Sequence, residues 1–181
     1  LLGALAAALE LQAQAQNADK PWSERETKLA NEYLSLLVQQ PEYGRVLDLL
    51  WDLYDKHDAT KLLVENVTQQ AAQSKFLSVK MVEAHLIRKS GDLKHAAQLY
   101  DELLKLDAKN LTLLQSRAAV ARELSDPATA FTLIKKAAEL VPADDPLGPQ
   151  MWIELGGLAL AGGKNAEAAD AYERAAKLKP Q

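Results

Sequence analysis

The strongest constraint on the fold is a segment that occurs three times in the chain. The three copies span residues 81–108, 116–143 and 153–180. Aligned on one shared alanine, Ala96, Ala130 and Ala168, they are 34 and 38 residues apart. Self-similarity at such a period is the signature of stacked structural units, each of which buries its apolar face only against its neighbours. The sequence therefore predicts an array of packed units.

Other positions of the unit recur in step with the alanines. The same spacing is kept by the turn residues Gly91, Ser125 and Gly163, and by Tyr100, Ile134 and Tyr172. From Ser23 onward no stretch shows the strict alternation of apolar and polar residues that marks a half-buried strand. The predicted fold is therefore all helical, with each unit a pair of antiparallel helices.

The region before the repeats, residues 23–76, is predicted to be helical as well. Ser23 and Glu26 have the spacing of a capping box, Pro41 is expected to end the first helix, and Asp58 is expected to cap a later one. The apolar stripes predicted for the first two helices are Leu29, Tyr33, Leu36 and Leu37, and then Val46, Leu49, Leu50 and Leu53.

The last copy is notable for where its residues are small. Antiparallel helices approach to about 8–10 Å only where the side chains at their crossing are small. We expect Gly156 and Ala168 to meet at such a crossing, with larger side chains filling the space on either side. Gly91 and Gly163 lie where the first helix of a unit must stop, a position that favours a left-handed residue without a Cβ.

These residues resemble the signature of the tetratricopeptide repeat (TPR). The last unit matches it at Trp152, Leu155, Gly156, Gly163, Ala168, Tyr172, Ala175 and Pro180. The two earlier units keep Ala84, Gly91, Ala96 and Tyr100, and then Ala118, Ala130, Ala137 and Pro142. They depart from the pattern at other positions, with Lys80 for its tryptophan and Arg117 for its leucine. The resemblance implies a right-handed α-solenoid of antiparallel helix pairs, whose first helices line a concave groove for a peptide or helix of a partner protein.

The resemblance also organises the chain into segments. Three TPR units are predicted, at 77–110, 111–144 and 149–181. Residues 43–76 have the length of one more unit but almost none of its signature residues, so they are either a degenerate repeat or a packing cap. With the helix before them they form an N-terminal part, residues 16–76.

The first fifteen residues have a composition of their own. An apolar run, Leu1–Leu9, is followed by polar residues with Ala13 and Ala15 in the A-x-A order of a cleavage site. We interpret residues 1–15 as the remnant of a secretory signal, which would place the mature protein in the periplasm or outside the cell. The alternative is an Ala/Leu-rich helix that packs on the domain. The run is too short to cross a bilayer, which takes about twenty residues.

Composition argues against several classes of function. The net charge is −4 and basic residues are interspersed with acidic ones, unlike the clustered cations of a nucleic-acid-binding surface. The absence of cysteine removes thiolate catalysis and zinc–thiolate sites. His57, His85 and His95 lack the i, i+4 spacing of metal ligands and are expected at the surface or in the groove, and carboxylates such as Asp101 are expected to be solvated. No catalytic, cofactor-binding or metal site is predicted.

The resemblance implies which residues would face a ligand. They are Ser78, Met81, His85, Arg88 and Lys89 in the first unit, Thr112, Gln115, Ala119 and Arg122 in the second, and Gln150, Ile153 and Gly157 in the third. Met81, His85 and Ser116 depart from the lysine and asparagine clamp with which some TPR proteins hold chaperone tails. The three cations would favour a weakly acidic ligand, although scattered charges more often belong to a solvated helix face.

Three functions are open from the sequence. The favoured one is a non-enzymatic scaffold that works in the bacterial envelope or outside the cell and binds a protein or peptide partner of unidentified kind. The second is the leading segment of a longer repeat or multidomain protein, whose last unit is uncapped and able to self-associate. The third is an enzyme with a site between helices, which no residue pattern supports.

Replacing Ala168 with leucine tests the predicted helix crossing. The larger side chain should overpack the crossing and lower the free energy of unfolding by about 1–3 kcal/mol. Thermal unfolding of the purified protein measures the change. An unaltered melting temperature would contradict the alignment of the three units.

Overall fold

The protein is all helical in the part of the chain that the computed structural model describes, residues 21–142 and 144–178. The helices are α1 Glu24–Gln39, α2 Arg45–Asp55, α3 Thr60–Gln73, α4 Leu77–Lys89, α5 Leu93–Leu106, α6 Leu111–Glu123, α7 Pro127–Leu140, α8 Leu147–Ala161 and α9 Asn165–Leu178. No strand occurs in these ranges, which confirms the predicted class. None of the helices described has both the length and the apolar character to cross a membrane. The signal-peptide interpretation of residues 1–15 falls outside the described residues.

The first helix begins and ends as its sequence predicts. The Ser23 hydroxyl accepts a hydrogen bond from the Glu26 N–H at 3.2 Å, and the Glu26 carboxylate accepts one from the Ser23 N–H at 3.0 Å. The predicted capping box is therefore confirmed. Helix α1 ends at Gln39, with Gln40 as its C-cap directly before Pro41. A residue before proline is disfavoured in the helical conformation, which explains the position of this end.

The first helix of each predicted unit ends in the same backbone conformation. Gly91, Ser125 and Gly163 have φ values of 93°, 59° and 71°, as their shared spacing predicts. Asp58, three residues after the last residue of α2, has a φ of 53°. The prediction that Asp58 caps the next helix is wrong, because the N-cap of α3 is Ala59.

Hydrogen bonds at these helix ends also repeat. The residue after the left-handed one donates its N–H to a carbonyl five residues earlier, from Ala59 to Tyr54, Asp126 to Ala121 and Lys164 to Ala159, at 2.8–2.9 Å. This pattern satisfies carbonyl groups that the end of a helix would otherwise leave unpaired. Helices α2 and α3 therefore share the local geometry of the recurring unit, although they lack its signature residues.

The helices form two compact units, of which one extends to Ala96. In this unit α1 packs on α2 and α4, α2 packs on α3, and α3 packs on α4. The core consists of apolar side chains that include Leu34, Leu37, Leu47, Leu50, Tyr54, Leu63, Val82 and Leu86. The stripes predicted for α1 and α2 are confirmed in part, since Leu37 and Leu50 are buried, but Leu36 and Leu49 are 49% and 37% exposed. Helix α1 contacts two helices, and this shifts its buried arc toward Ala30 and Leu34.

The second compact unit begins at Ala97. Here α6 packs on α7, α7 on α8, and α8 on α9. Residues 124–126 connect α6 to α7, and residues 162–164 connect α8 to α9. Connections this short between packed helices make each pair antiparallel, as predicted. Its core includes Leu114, Ala118, Ile134, Ala137, Met151, Trp152, Leu155, Ala171 and Ala175.

The alanines on which the repeats align are buried. Ala96, Ala130 and Ala168 have at most 1% of their surface exposed. An alanine buried in this way allows two helices to approach closely, since no larger side chain holds them apart. The alignment of the three copies is consistent with this burial.

Arg117 shows how a charged residue fits where the repeat pattern has leucine. Its Nε and Nη2 donate to the two carboxylate oxygens of Asp101, at 2.9 and 3.2 Å, and only 12% of its side chain is exposed. Two parallel hydrogen bonds of this kind form the strongest arrangement between these groups. Asp101 is exposed to solvent, as expected, with 52% of its side chain accessible, and it is also an ion-pair partner.

Helices α8 and α9 approach closely at Gly156, where the ring of Tyr172 lies against the glycine. A Cβ on Gly156 would lie 2.7–2.9 Å from three atoms of the Tyr172 ring. Tyr172 thus fills space beside the crossing, as the sequence predicts, and the expected contact between Gly156 and Ala168 stays a prediction. The Tyr172 ring takes the space that a side chain at position 156 would need.

Adjacent glycines in α8 offer a matched test of this contact. Gly156→Ala should gain about 1 kcal/mol of helix propensity but force the Tyr172 ring to move, so we expect a net destabilisation of about 1 kcal/mol or more. Gly157→Ala gains the same propensity, and its new Cβ would meet only the Tyr172 hydroxyl, at 4.0 Å. We expect Gly157→Ala to stabilise the protein by about 0.5–1 kcal/mol.

Urea unfolding of both variants measures the difference. Tyr172→Ala combined with Gly156→Ala is the control, because it should remove the clash. Equal effects of the two glycine substitutions would contradict the contact.

Candidate functional site

The predicted groove residues lie on three helices. Those of α4 belong to the unit that extends to Ala96, and those of α6 and α8 belong to the unit that begins at Ala97. The two sets are described separately below.

In the second unit, the predicted residues of α6 and α8 lie side by side. The Gln115 amide donates to the Met151 sulfur at 3.3 Å, and Arg122 Nη1 donates to Glu154 Oε1 at 2.7 Å. These contacts join α6 to α8 at points that are seven residues apart on α6 and three residues apart on α8. We call this face the α6–α8 surface, which consists of Thr112, Gln115, Ala119, Arg122, Gln150, Ile153, Glu154 and Gly157.

The α6–α8 surface combines an apolar side chain with small and amide residues. Ile153 is 44% exposed, and Gln150 and Gly157 on the same helix are also exposed. Thr112, Gln115 and Ala119 of α6 are half-buried. Ile153 can contact an apolar side chain of a ligand, while the amide and hydroxyl groups can both donate and accept hydrogen bonds.

The cation of this surface already has an anionic partner. Arg122 pairs with Glu154, and the two side chains are 47% and 27% exposed. The pair is close to neutral overall and screened by solvent, so it offers little attraction to an acidic ligand. Glu154 was not among the predicted residues. Its contact with Arg122 depends on how α6 and α8 pack against each other, and the sequence of neither helix alone predicts this packing.

In the first unit, two of the predicted residues of α4 have almost no exposed surface. Met81 is 3% exposed and His85 is fully buried. A side chain without exposed surface cannot contact a partner unless its neighbours move. We therefore leave Met81 and His85 out of the surface proposed below. Ser78, Arg88 and Lys89 are half-buried.

Residues between α1 and α2 cover His85. Its Nε2 donates to the Pro41 carbonyl at 3.0 Å, and its ring meets the edge of the Tyr43 ring at 5.9 Å between centroids. Arg88 lies over the Tyr43 ring, with its guanidinium carbon 3.9 Å from the ring centroid. Sequence reasoning missed this arrangement because the covering residues are more than forty positions away along the chain.

Lys89 is engaged as well. Its ammonium group donates to the Asp48 carboxylate of α2 at 2.5 Å, and this hydrogen bond raises the pKa of Lys89. Each of the three cations predicted to attract an acidic ligand, Arg88, Lys89 and Arg122, therefore has a partner within its own unit.

The histidines do not all lie where the sequence placed them. His57 and His85 are buried, and His95 is exposed. The His57 ring stacks on Trp22 at 4.4 Å, and Trp22 meets Tyr54 edge-on at 4.7 Å. Within the described residues, no group of three or more His, Asp or Glu side chains is placed to hold a metal ion.

The unit from Ala97 onward also has a surface depression that the sequence did not predict. It lies among α7, α8 and α9 and is lined by Ala138, Glu139, Val141, Trp152, Arg174, Lys177 and Leu178. Arg174 lies over the Trp152 ring and pairs with Asp170 at 3.0 Å, while Lys177 pairs with Glu173 at 2.6 Å. Its cations are thus also paired, with acids one turn away on the same helix.

Comparison with known proteins identifies the fold. No family model matches the sequence, and no curated protein matches it. A solved structure of MamA matches with a TM-score of 0.59 and 11% identity, over 87% of this chain and 96% of that one. BtubC from P. vanneervenii matches with a TM-score of 0.60 and 19% identity, over 86% and 71%. TTC0263, a thermophilic TPR protein of Thermus thermophilus, matches with 0.51 and 20%, over 86% and 84%.

The fold is TPR-like. The resemblance recognised in the sequence is therefore confirmed at the level of the fold. At these identities the similarity concerns the fold alone, and the boundaries of the units and the use of the groove stay predictions.

Buried His85 makes stability depend on pH. Burial lowers the pKa of His85 from 6.5 to about 4, the Pro41 carbonyl opposes this shift, and Arg88 adds to it. Between these two values the unfolded chain binds more protons than the folded one. Stability is therefore full above pH 6.5 and falls as the pH drops toward 4, by at most about 3 kcal/mol.

Urea unfolding across this pH range checks the expectation. His85→Gln cannot become charged and should flatten the dependence, whereas the exposed His95→Gln should keep it. Glu26 affects the stability only at lower pH, because hydrogen bonds from Lys56 and Ser23 hold its pKa well below 4.5. A pH dependence that is unchanged in His85→Gln would contradict the role of His85.

Proposed function

We propose that the unit from Ala97 onward is a non-enzymatic binding module, which holds an extended, uncharged segment of a partner protein along the α6–α8 surface. The observation that carries this proposal is Ile153, an aliphatic side chain that is 44% exposed in the middle of that surface. Complete burial of such a side chain gains about 1.5–3 kcal/mol, so burial of the part of Ile153 that is still exposed gains about 1 kcal/mol.

The neighbours of Ile153 suit an extended chain. Gly157 and Ala119 are small and leave room for the side chains of a ligand beside them. Gln150 is exposed and Thr112 is half-buried, and their amide and hydroxyl groups suit the N–H and C=O groups of an extended backbone. Such side chains can bind the backbone of a ligand whatever its sequence, whereas Ile153 favours an apolar side chain.

The charges of the surface favour a ligand without a net charge. Glu154 neutralises Arg122, and the cations of α4 are engaged by Tyr43 and Asp48. The weakly acidic ligand that the sequence suggested is therefore not the one we propose. We expect binding to depend little on salt, because screening acts on unpaired charges.

The comparisons support a scaffold only in general terms. The solved structures that share the fold include one described as a TPR protein, and this supports a role in protein interaction without naming a partner. The extracytoplasmic location and self-association through the last helices stay predictions. Fractionation of the source cells would test the first, and sedimentation of the purified protein would test the second.

A random library of linear peptides displayed on mRNA tests the proposal without knowledge of the natural partner. We expect enriched peptides to be uncharged and to carry an aliphatic residue. Ile153→Glu should lower their affinity at least about tenfold. The matched control is Leu106→Glu, at a residue of α5 that is 70% exposed and lies outside the surface, which should leave affinity unchanged.

Affinity should change less than about twofold between about 0.05 and 0.5 M salt. Three results would contradict the proposal. They are no enrichment, equal affinity for Ile153→Glu, or enrichment of acidic peptides whose binding weakens steeply with salt.

A further inference from the structure

A short non-helical segment lies against the face of α4 that sequence reasoning assigned to a ligand. This segment, Gln40–Gly44, connects α1 to α2, and we call it the strap. Its backbone makes one hydrogen bond within itself, from the Glu42 N–H to the Gln40 carbonyl at 2.8 Å. Its two ends are hydrogen-bonded to the flanking helices, from the Gln40 N–H to the Leu36 carbonyl and from the Asp48 N–H to the Gly44 carbonyl. Side chains of α4 contact the residues between these ends.

Three contacts fasten the strap and the start of α2 to α4. His85 donates to the Pro41 carbonyl, Arg88 lies over the Tyr43 ring, and Lys89 pairs with Asp48. Of these residues, His85 has no exposed surface and Pro41 is half-buried, while Tyr43 is 37% exposed and the Asp48 side chain 51%. The buried contact should contribute most, because solvent competes least with it.

The buried contact requires a neutral imidazole. With one proton on Nε2, His85 satisfies the Pro41 carbonyl and carries no charge. A second proton would place a full charge on a side chain without exposed surface, with Arg88 one turn away on the same helix. Opening of the strap would let water reach that charge, so protonation and opening are coupled.

Burial outweighs the hydrogen bond to Pro41 in the pKa of His85, and the charge of Arg88 adds to the effect of burial. The charged groups on the elements packed against α4 are the following. On α4 these are Lys80, Glu83, Arg88 and Lys89, of which Lys89 is held by Asp48. The strap contributes Glu42, which is exposed, and the phenol of Tyr43. The other helices packed on α4 contribute Glu24, Arg25, Glu26, Lys28 and Glu32 from α1, and Lys61 and Glu65 from α3. All of these are exposed except Glu26, which pairs with Lys56.

We infer that the strap is a pH-operated cover, which opens when His85 takes up a proton and exposes the face of α4 beneath it. Opening leaves the helices in place, because the core of this unit is formed by other side chains. It uncovers the part of α4 that carries His85 and Arg88, which are predicted groove residues. The opening does not depend on the proposed function, which concerns the α6–α8 surface.

Hydrogen–deuterium exchange with mass spectrometry, on the full chain, tests the opening. The His85 pKa of about 4 when covered, against 6.5 when free, supports the size of the effect. Between about pH 7 and about pH 5 the opening equilibrium should rise about twentyfold. After correction for the intrinsic exchange rate, peptides that cover Gln40–Gly44 and the start of α2 should lose protection, while peptides from α7 to α9 should keep theirs.

Three variants separate the cause. His85→Gln retains a donor for Pro41 but cannot be charged, so its strap should stay protected at about pH 5. His95→Gln should behave as the wild type, since His95 is exposed. Tyr43→Ala, which leaves the core of α4 intact, should raise exchange in the strap already at about pH 7.

An unchanged strap in the wild type at about pH 5 would overturn the inference, and so would equal opening in His85→Gln. If His85→Gln does not fold, the wild-type profile and Tyr43→Ala decide the question. Selected peptides, titrated at both pH values, form a separate arm. Opening of the strap without any peptide binding would overturn the proposed function but not the inference about the strap. Peptide binding without opening would overturn the inference but not the proposed function.

Discussion

The packing of the helices depends on positions where two backbones can approach closely because the side chains there are small. Where α8 meets α9, the ring of Tyr172 fills the space in which Gly156 would carry a side chain. Ala96, Ala130 and Ala168 are buried at the matching position of each repeat. Close packing of this kind makes the cost of any added methyl group depend on whether its neighbour can move.

Local signals in the sequence predict the ends of the helices well. The capping box at Ser23 and the left-handed residues Gly91, Ser125 and Gly163 depend only on residues within one turn of each other. The reciprocal bonds of a cap, and the lack of a Cβ clash at glycine, act over that same short range. Ser125 has a side chain and still adopts this conformation, so its place in the repeat was a better guide than its residue type.

Contacts between distant parts of the chain were harder to predict. The burial of His85 depends on Pro41 and Tyr43, and the pairing of Arg122 depends on Glu154. The exposure of Leu36 and Leu49 has a similar origin, because the buried arcs of α1 and α2 depend on which helices pack on them. A helical stripe in the sequence indicates an apolar face but does not say which edge of that face is covered.

Partnered cations change how the candidate site is interpreted. A list of groove positions from the repeat pattern has an excess of positive charge, whereas in the structure Arg88, Lys89 and Arg122 all lie against a ring or a carboxylate. What is left at the α6–α8 surface is an aliphatic side chain among small and amide residues. Its chemistry favours shape and backbone hydrogen bonds over charge in the choice of a ligand.

The most direct test of the account is the contact between Gly156 and Tyr172 in solution. A nuclear Overhauser spectrum of labelled protein should show strong cross-peaks between the Gly156 Hα protons and the Tyr172 ring protons, because the ring lies directly against the glycine. The same protons should be shifted by the ring current. A folded protein that shows neither effect would contradict the packing on which the alignment of the repeats, and the position of the α6–α8 surface, depend.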